Sequence, residues 1–179
     1  MIEIRPITRE NPEDLNLKNE PFEMPGRFIP ALTDGVWTYR TELFASPRYM
    51  VFPDENYDID TLSENSAIFG AYENGKCLGI AIYQEAFFKY YYLYDLKVCA
   101  SARGTGIGRA LIETGMAEAK RRGYIGLYTQ AQDNNLNACM FYLKTGFSIG
   151  GFDNRLYDGT TQAGKADIIF YKKDYGMFI

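Results

Sequence analysis

The chain of 179 residues contains no histidine, and that absence excludes more chemistry than most motifs establish. Without an imidazole there is no Ser-His-Asp or Cys-His nucleophilic machinery and no His-ligated zinc, and the side chain that most often carries protons near neutral pH is missing. Any acid or base must be a carboxylate, a phenol, a lysine or water. Cysteine is scarce too: Cys77, Cys99 and Cys139 are scattered, odd in number and without a C-x-x-C pair. That pattern fits a reducing compartment and argues against a thiolate metal site, so they read as packing residues and no metal is expected. No apolar run reaches the roughly 18 residues of a membrane span, and no basic-then-apolar leader is visible, so a cytoplasmic protein without a membrane partner is expected. Acidic residues outnumber basic ones 23 to 19, and the cations form no long stripe, which disfavours a nucleic acid partner. The negative balance would gather a cationic small molecule, although many proteins with no such ligand share it.

What is present is enough apolar sequence, 46% of the chain, to bury a core in one domain spanning 1–179. Residues 2–5 read as an opening strand, followed by an irregular, turn-rich stretch. "VWTYRTEL" alternates as a strand, and "FPDENYDIDTLSEN" reads as an acidic loop or short helix. The clearest β signal is "SAIFGAYENGKCLGIAIYQEAFF", two apolar runs around Asn74-Gly75, a dipeptide suited to a tight hairpin. "YYYLYDLKVC" follows as a third antiparallel strand. From Gly108, apolar residues recur at helical spacing and end at Arg121, Arg122 and Gly123, cations and a glycine suited to a helix C-terminus. After a short strand "YIGLYTQA", Asn134 or Asn135 caps a second helix whose apolar side is read as Ala138, Phe141, Tyr142 and Thr145, ending at Gly146. "FSIGGFDNRLY" and "KADIIFYKKDY" close the chain as strands. The order predicts an α/β domain with a mixed sheet.

Between the third strand and the first helix lies "ARGTGIGRAL", residues 102–111. A strand that turns directly into a helix leaves first-turn N–H groups without intrahelical partners, and glycines let an anion approach them. Arg109 stands where a Rossmann fingerprint needs its third glycine, and no Walker lysine follows. What remains is R-G-x-G-I-G, which serves either as a phosphate cradle, with Arg103 adding its guanidinium, or as a tight turn that lets the helix pack closely. Further on, "NLNACMFYLKTGF" sets Asn135 and Tyr142 two helical turns apart, so both project from one side of the second helix.

Together these segments resemble the Gcn5-related N-acetyltransferase (GNAT) superfamily, which joins an L-x-V strand, an [RQ]-x-x-G-x-[GA] loop and N-x-x-A-x-x-x-Y-x-x-x-G-F. Here they are Leu96-Lys97-Val98, Arg103 to Gly108 and Asn135 to Phe147, within a cofactor-binding core of about 66–155. "EPFEMPGRFIP" with "WTY", and "QDNNLNACMFYLKTGFSIGGFDNRLY", are similar to the streptothricin acetyltransferases within that superfamily. The resemblance implies a mixed, mostly antiparallel sheet of six to seven strands with helices on both faces and a splay between two parallel central strands. It implies acetyl-CoA as donor, its pantetheine arm on the backbone of Leu96 and Val98, and its pyrophosphate on the N–H groups of Arg103, Gly104, Thr105, Gly106, Ile107 and Gly108. Asn135 would bind the pantetheine arm. Tyr142 would protonate the departing thiolate, a role a phenol suits; by spacing alone it reads first as a core aromatic.

The base is assigned to Asp95, which strand alternation puts on the face opposite Leu96 and Val98 unless a bulge turns it. An acid among tyrosines is either functional or held by Lys97, Arg103 or backbone donors. Some relatives carry a glutamate base where this chain has Gln130, which leaves Glu85 or a water chain as substitutes. By the same resemblance the acceptor is the β-lysine amine of streptothricin, and acetylation confers resistance; another small amine, a protein lysine or a non-catalytic acyl-CoA sensor are the alternatives. Asp54, Glu55, Asp58, Asp60, Trp37 and Tyr39 offer contacts for a cation through charge or ring faces, or are a solvated loop and core aromatics. Either a monomer or a homodimer is compatible with all of this.

Overall fold

A computed structural model of the chain describes residues 1–62, 66–86, 88–174 and 176. Its elements are β1 (Glu3–Pro6), β2 (Phe22–Thr33), β3 (Val36–Met50), β4 (Ala67–Glu73), β5 (Lys76–Gln84), β6 (Tyr91–Val98), α1 (Ile107–Arg121), β7 (Gly126–Gln132), α2 (Leu136–Lys144), β8 (Ser148–Asp153) and β9 (Asp167–Lys173), with 3-10 turns at Pro12–Asn16 and Ala100–Ala102. Parts of three expected segments, residues 63–65, 87 and 175, lie outside the described residues. One sheet runs in the order β1-β4-β5-β6-β7-β9-β8, and β2 and β3 form a separate ribbon. Its mixed character comes from β6 and β7, which are neighbours joined through α1, a crossover that makes them parallel.

Two compact units divide the chain. The first comprises Met1–Glu20, Val51–Leu127 and Lys173–Ile179. In it, β4 and β5 turn on Asn74 and Gly75, both at positive φ (50° and 79°), as that dipeptide requires. Ile7, Leu15, Ile68, Tyr72, Ile80 and Ile82 form one buried cluster, with Leu17, Tyr57 and Ile59 packed against it. Each large aliphatic side chain buried this way stabilises the fold by about 1.5–3 kcal/mol. Helix α1 buries Ile107, Leu111, Ile112, Gly115 and Ala119, spaced at helical period, and ends at Gly123 with φ 84°. The β5–β6 register shifts between Ile82, opposite Asp95, and Tyr83, opposite Leu93, so Tyr94 is an extra residue in β6.

The second unit comprises Pro21–Met50 and Tyr128–Lys172. Its β2–β3 ribbon turns on Asp34 and Gly35, again both at positive φ (50° and 77°), and lengthens the expected strand at 36–43 to fifteen residues. The preceding irregular stretch proves to hold the other arm, β2. The buried side of α2 is Leu136, Cys139 and Tyr142, continued by Thr145; Ala138 and Phe141, expected on that side, are half-buried. The inward row therefore runs i, i+3 from Leu136. Asp133, only 2% exposed, is the polar anchor of this unit. It accepts from Arg27 Nε at 3.0 Å and from the Ala166 N–H at 3.1 Å.

Candidate functional site

The first unit carries the glycine stretch. Gly104 and Gly106 have φ of 79° and 95°, a region in which a side chain is strained. Among the described residues, no atom beyond the chain neighbours lies within 4 Å of where a Cβ would stand at either position, so the space over this turn is open. Gly106 is the N-cap of α1 and no side chain caps the helix; the Thr105 hydroxyl instead donates back to Ala102 O at 2.6 Å. No acid stands in the first turn, while Lys120 and Arg121 occupy the last. The positive end of the α1 dipole therefore faces an uncapped, open glycine turn, the arrangement that suits a phosphate. Arg103 Nε donates to Val98 O at 3.1 Å, tying the turn to the end of the strand that carries Leu96 and Val98. The structure thus brings Leu96, Val98 and Arg103 to Gly108 together.

Asp95 belongs to a separate polar group on the same strand. The extra residue Tyr94 precedes it, and from Asp95 onward alternation is regular: Asp95 and Lys97 share a face, 3.5 Å apart, while Leu96 and Val98 take the other. The Tyr57 hydroxyl donates to Asp95 Oδ2 at 3.1 Å. Lys97 Nζ also donates to Glu55 in a short ion pair and reaches Leu17 O at 3.5 Å. Burial pushes the Asp95 carboxyl above its ordinary range, with Glu55 adding to the rise and Lys97 opposing it. Of the expected holders, Lys97 is therefore one, and Tyr57 is a partner that sequence reasoning missed. Tyr57 lies in irregular backbone, where no period marks it. Its hydroxyl is held far above the phenol range by burial and by Asp95 and Glu55, so it stays a donor.

The other members of the acidic stretch behave differently. Asp54 accepts from the Asn19 N–H at 2.9 Å, Asp58 closes a local turn on the Asp60 N–H at 2.9 Å, and Asp60 pairs with Arg9 at 2.6 Å. Glu85 is exposed and pairs with Arg122 at 3.7 Å, beyond the C-terminal end of α1. A fifteen-residue helix is about 22 Å long, so Glu85 sits a helix length from the glycine turn.

In the second unit, Asn135 is the N-cap of α2: its Oδ1 accepts the Ala138 N–H at 3.2 Å. The capping role weighed for it is thus realised, and Asn134 instead points its Nδ2 at Met24 Sδ, 3.3 Å away. Tyr142 is buried, with its ring 5.3 Å from Phe147 and 5.5 Å from Phe170. Gln130 is exposed on β7, and its neutral amide accepts no proton. Trp37 is half-buried on β3, and Tyr39 stacks on Phe28 at 4.7 Å.

The acetyltransferase (GNAT) family matches residues 32–147. Streptothricin acetyltransferase A of Bacillus subtilis (strain 168) is 35% identical over 171 residues, 95% of this chain and 99% of its own. A streptothricin acetyltransferase of Escherichia coli is 28% identical over 63% of this chain and 64% of its own. Among solved structures, nourseothricin acetyltransferase superposes with a TM-score of 0.80 at 25% identity, covering 96% of this chain and 98% of that one. A Bacillus anthracis str. Ames protein solved with acetyl coenzyme A gives 0.83 at 26% identity, covering 97% and 99%. With a family match over residues 32–147 and a relative 35% identical over 95% of its length, the chain belongs to the acetyltransferase (GNAT) family.

Proposed function

We propose that the protein is an acetyl-CoA-dependent N-acetyltransferase that acetylates the β-lysine amine of streptothricin, and so confers resistance to that antibiotic. The observation that carries this reading is the open left-handed turn at Gly104 and Gly106 leading into the uncapped α1. It occurs in a chain that matches a streptothricin acetyltransferase over 95% of its length. Acetyl-CoA supplies the activated acyl group. The N–H groups of Arg103 to Gly108 hold the diphosphate, the backbone of Leu96 and Val98 aligns the pantetheine arm, and Asn135 adds a contact to that arm through the amide left over from its cap. Asp95 takes a proton from the incoming ammonium. The nitrogen lone pair then attacks the thioester carbon, the C–S bond breaks as Tyr142 gives its proton to the departing sulfur, and the second proton shed by the nitrogen restores the Tyr142 phenol while Asp95 releases its own to solvent. Holding both reactants in line supplies much of the acceleration, because well-oriented groups behave as if present at about 10⁵ M or more. No covalent acyl-enzyme is required.

The acceptor is a small cationic amine, matching the acidic balance of the chain. Asp54, Glu55, Asp58 and Asp60, with Trp37 and Tyr39, remain its candidate contacts. The protein is read as one domain over residues 1–179, acting in the cytoplasm as a monomer or homodimer, with neither nucleic acid nor membrane as partner.

The test mixes purified protein with acetyl-CoA and streptothricin. One free thiol is expected per antibiotic amine consumed. Thiol release with other amines but not with streptothricin would move the acceptor to a different small molecule. Binding of acetyl-CoA without thiol release across an amine panel would make the protein an acyl-CoA sensor instead.

A further inference from the structure

Lys97 is the most enclosed cation of the first unit's polar group, with its side chain 10% exposed, and it serves two carboxylates: Asp95, 17% exposed, and Glu55, 31% exposed. Two anions and one cation leave the group one negative charge in excess. The ammonium is not shared evenly. It lies in a short contact with Glu55 and 3.5 Å from Asp95, and Leu17 O anchors it on a third side. On Asp95, Oδ2 takes the Tyr57 hydroxyl, while Oδ1 receives no hydrogen bond from the described residues. The charged and titratable groups facing Asp95 are Lys97 on β6 and Glu55 and Tyr57 before β4, with Tyr94 against the Tyr57 ring; its partner on β5 is the apolar Ile82.

We propose that Lys97 and Glu55 are positioning residues for Asp95: Glu55 holds the Lys97 ammonium on its own side, leaving Asp95 an open oxygen in a net negative setting that a substrate ammonium enters. This rests on Asp95 being the base. A carboxylate wholly neutralised by its lysine would be a poor proton acceptor, and one buried without any cation would arrive already protonated. Dividing one ammonium between two carboxylates keeps Asp95 between those limits. It also explains why an acid on this strand is followed two residues later by a lysine that does not simply cancel it. Tyr57 and Lys97 both approach Oδ2, so that Oδ1 is the oxygen presented. The proton passes from the substrate ammonium to Oδ1, and the nitrogen keeps the electron pair it needs for attack.

The two positioning residues act on Asp95 with opposite sign, which a merely structural role would not produce. The experiment follows the Asp95 carboxyl by 13C NMR titration of the full chain, with its signal identified by loss in Asp95→Asn. Glu55→Gln should lower the titration midpoint, because Lys97 falls back onto Asp95 and an anion is lost. Lys97→Met should raise it. In both variants kcat for streptothricin should fall with KM for acetyl-CoA unchanged, and Lys97→Arg should restore most of the rate. Midpoints that stay put, or that move in the same direction, would overturn the proposal; if Lys97→Met does not fold, Glu55→Gln alone decides it. The base assignment fails separately: Asp95→Asn would then leave the rate and its pH profile untouched even where the midpoints of the other variants shift as expected.

Discussion

The Tyr83 ring occupies the space that a side chain at Gly115 would need, so that a Cβ built there falls 2.2 Å from the ring's Cζ. The same tyrosine donates its hydroxyl to Leu111 O, one turn earlier on α1, at 2.8 Å, and stacks on Tyr91 at 5.9 Å. Gly115→Ala should therefore destabilise the protein by about 1–3 kcal/mol through overpacking, even though alanine is intrinsically the better helix former by about 1 kcal/mol. Urea unfolding decides between the two effects. A more stable variant would contradict the close approach of α1 to β5.

Gly106→Ala separates the turn's conformation from its ligand. A non-glycine residue at φ 95° costs about 1–2 kcal/mol, and the new methyl meets no protein atom within 4 Å. It does stand in the space assigned to the diphosphate. Calorimetry should show acetyl-CoA binding weakened by about tenfold or more, corresponding to roughly 1.4 kcal/mol, in a protein that still melts cooperatively. Unchanged affinity would move the donor away from this turn.

Tyr142→Phe retains the ring packed against Phe147 and Phe170 and removes only the hydroxyl. Stability should change by about 1 kcal/mol or less, acetyl-CoA affinity little, and kcat should fall by about 10²-fold, the usual contribution of a positioned acid. An unaltered rate in single-turnover measurements would return Tyr142 to a packing role.

Asp167 gives the fold a pH dependence of its own. It is 2% exposed, accepts the Tyr157 hydroxyl on Oδ1 at 3.1 Å, and its buried Oδ2 receives no hydrogen bond among the described residues. Burial, reinforced by Asp153 and Asp133, pushes its carboxyl up to about 6 against the opposing Tyr157 bond. The folded state thus favours the neutral acid. That advantage is complete below the unfolded value of about 3.9 and is lost as pH rises through about 6, an effect of about 1–3 kcal/mol. Thermal melts between pH 4 and 7 should show this component in the wild type and lose it in Asp167→Asn; parallel profiles would rule it out.

Local chemistry was legible where it sits on consecutive residues. Asn74-Gly75 announced its hairpin, and Asp34-Gly35 has the same two left-handed residues. The second turn went unread because Pro25 and Pro30 lie in its leading arm, and proline argues against a strand unless the strand is an edge or carries an irregularity. Both conditions bear on β2: it is paired only in a two-stranded ribbon, and its register shifts between Met24 and Gly26. The glycine turn was readable for the same reason as the first hairpin. The polar group around Asp95 was not. Tyr57 and Asp95 are 38 residues apart and Glu55 and Lys97 are 42 apart, and nothing in an irregular acidic stretch distinguishes Glu55, which faces Lys97, from Asp60, which faces Arg9. Only tertiary folding selects among them. Asn135 shows the converse: local pattern narrows the cap to Asn134 or Asn135, and the Ala138 N–H bond selects Asn135.

Tyr94, the supernumerary residue of β6, reverses the parity of that strand. Tyr91, odd-numbered, stacks on Tyr83 beneath α1. Past Tyr94 it is even-numbered Val98 that comes near Gly79 and Ile107 on the helix side. Counted without the insertion, Asp95 and Lys97 would inherit the parity of Tyr91 and point toward the helix side, among the rings and aliphatics packed there. A single added amino acid thus lets one strand serve as an oily wall for its first half and a polar ledge for its second, and deleting it would exchange the two.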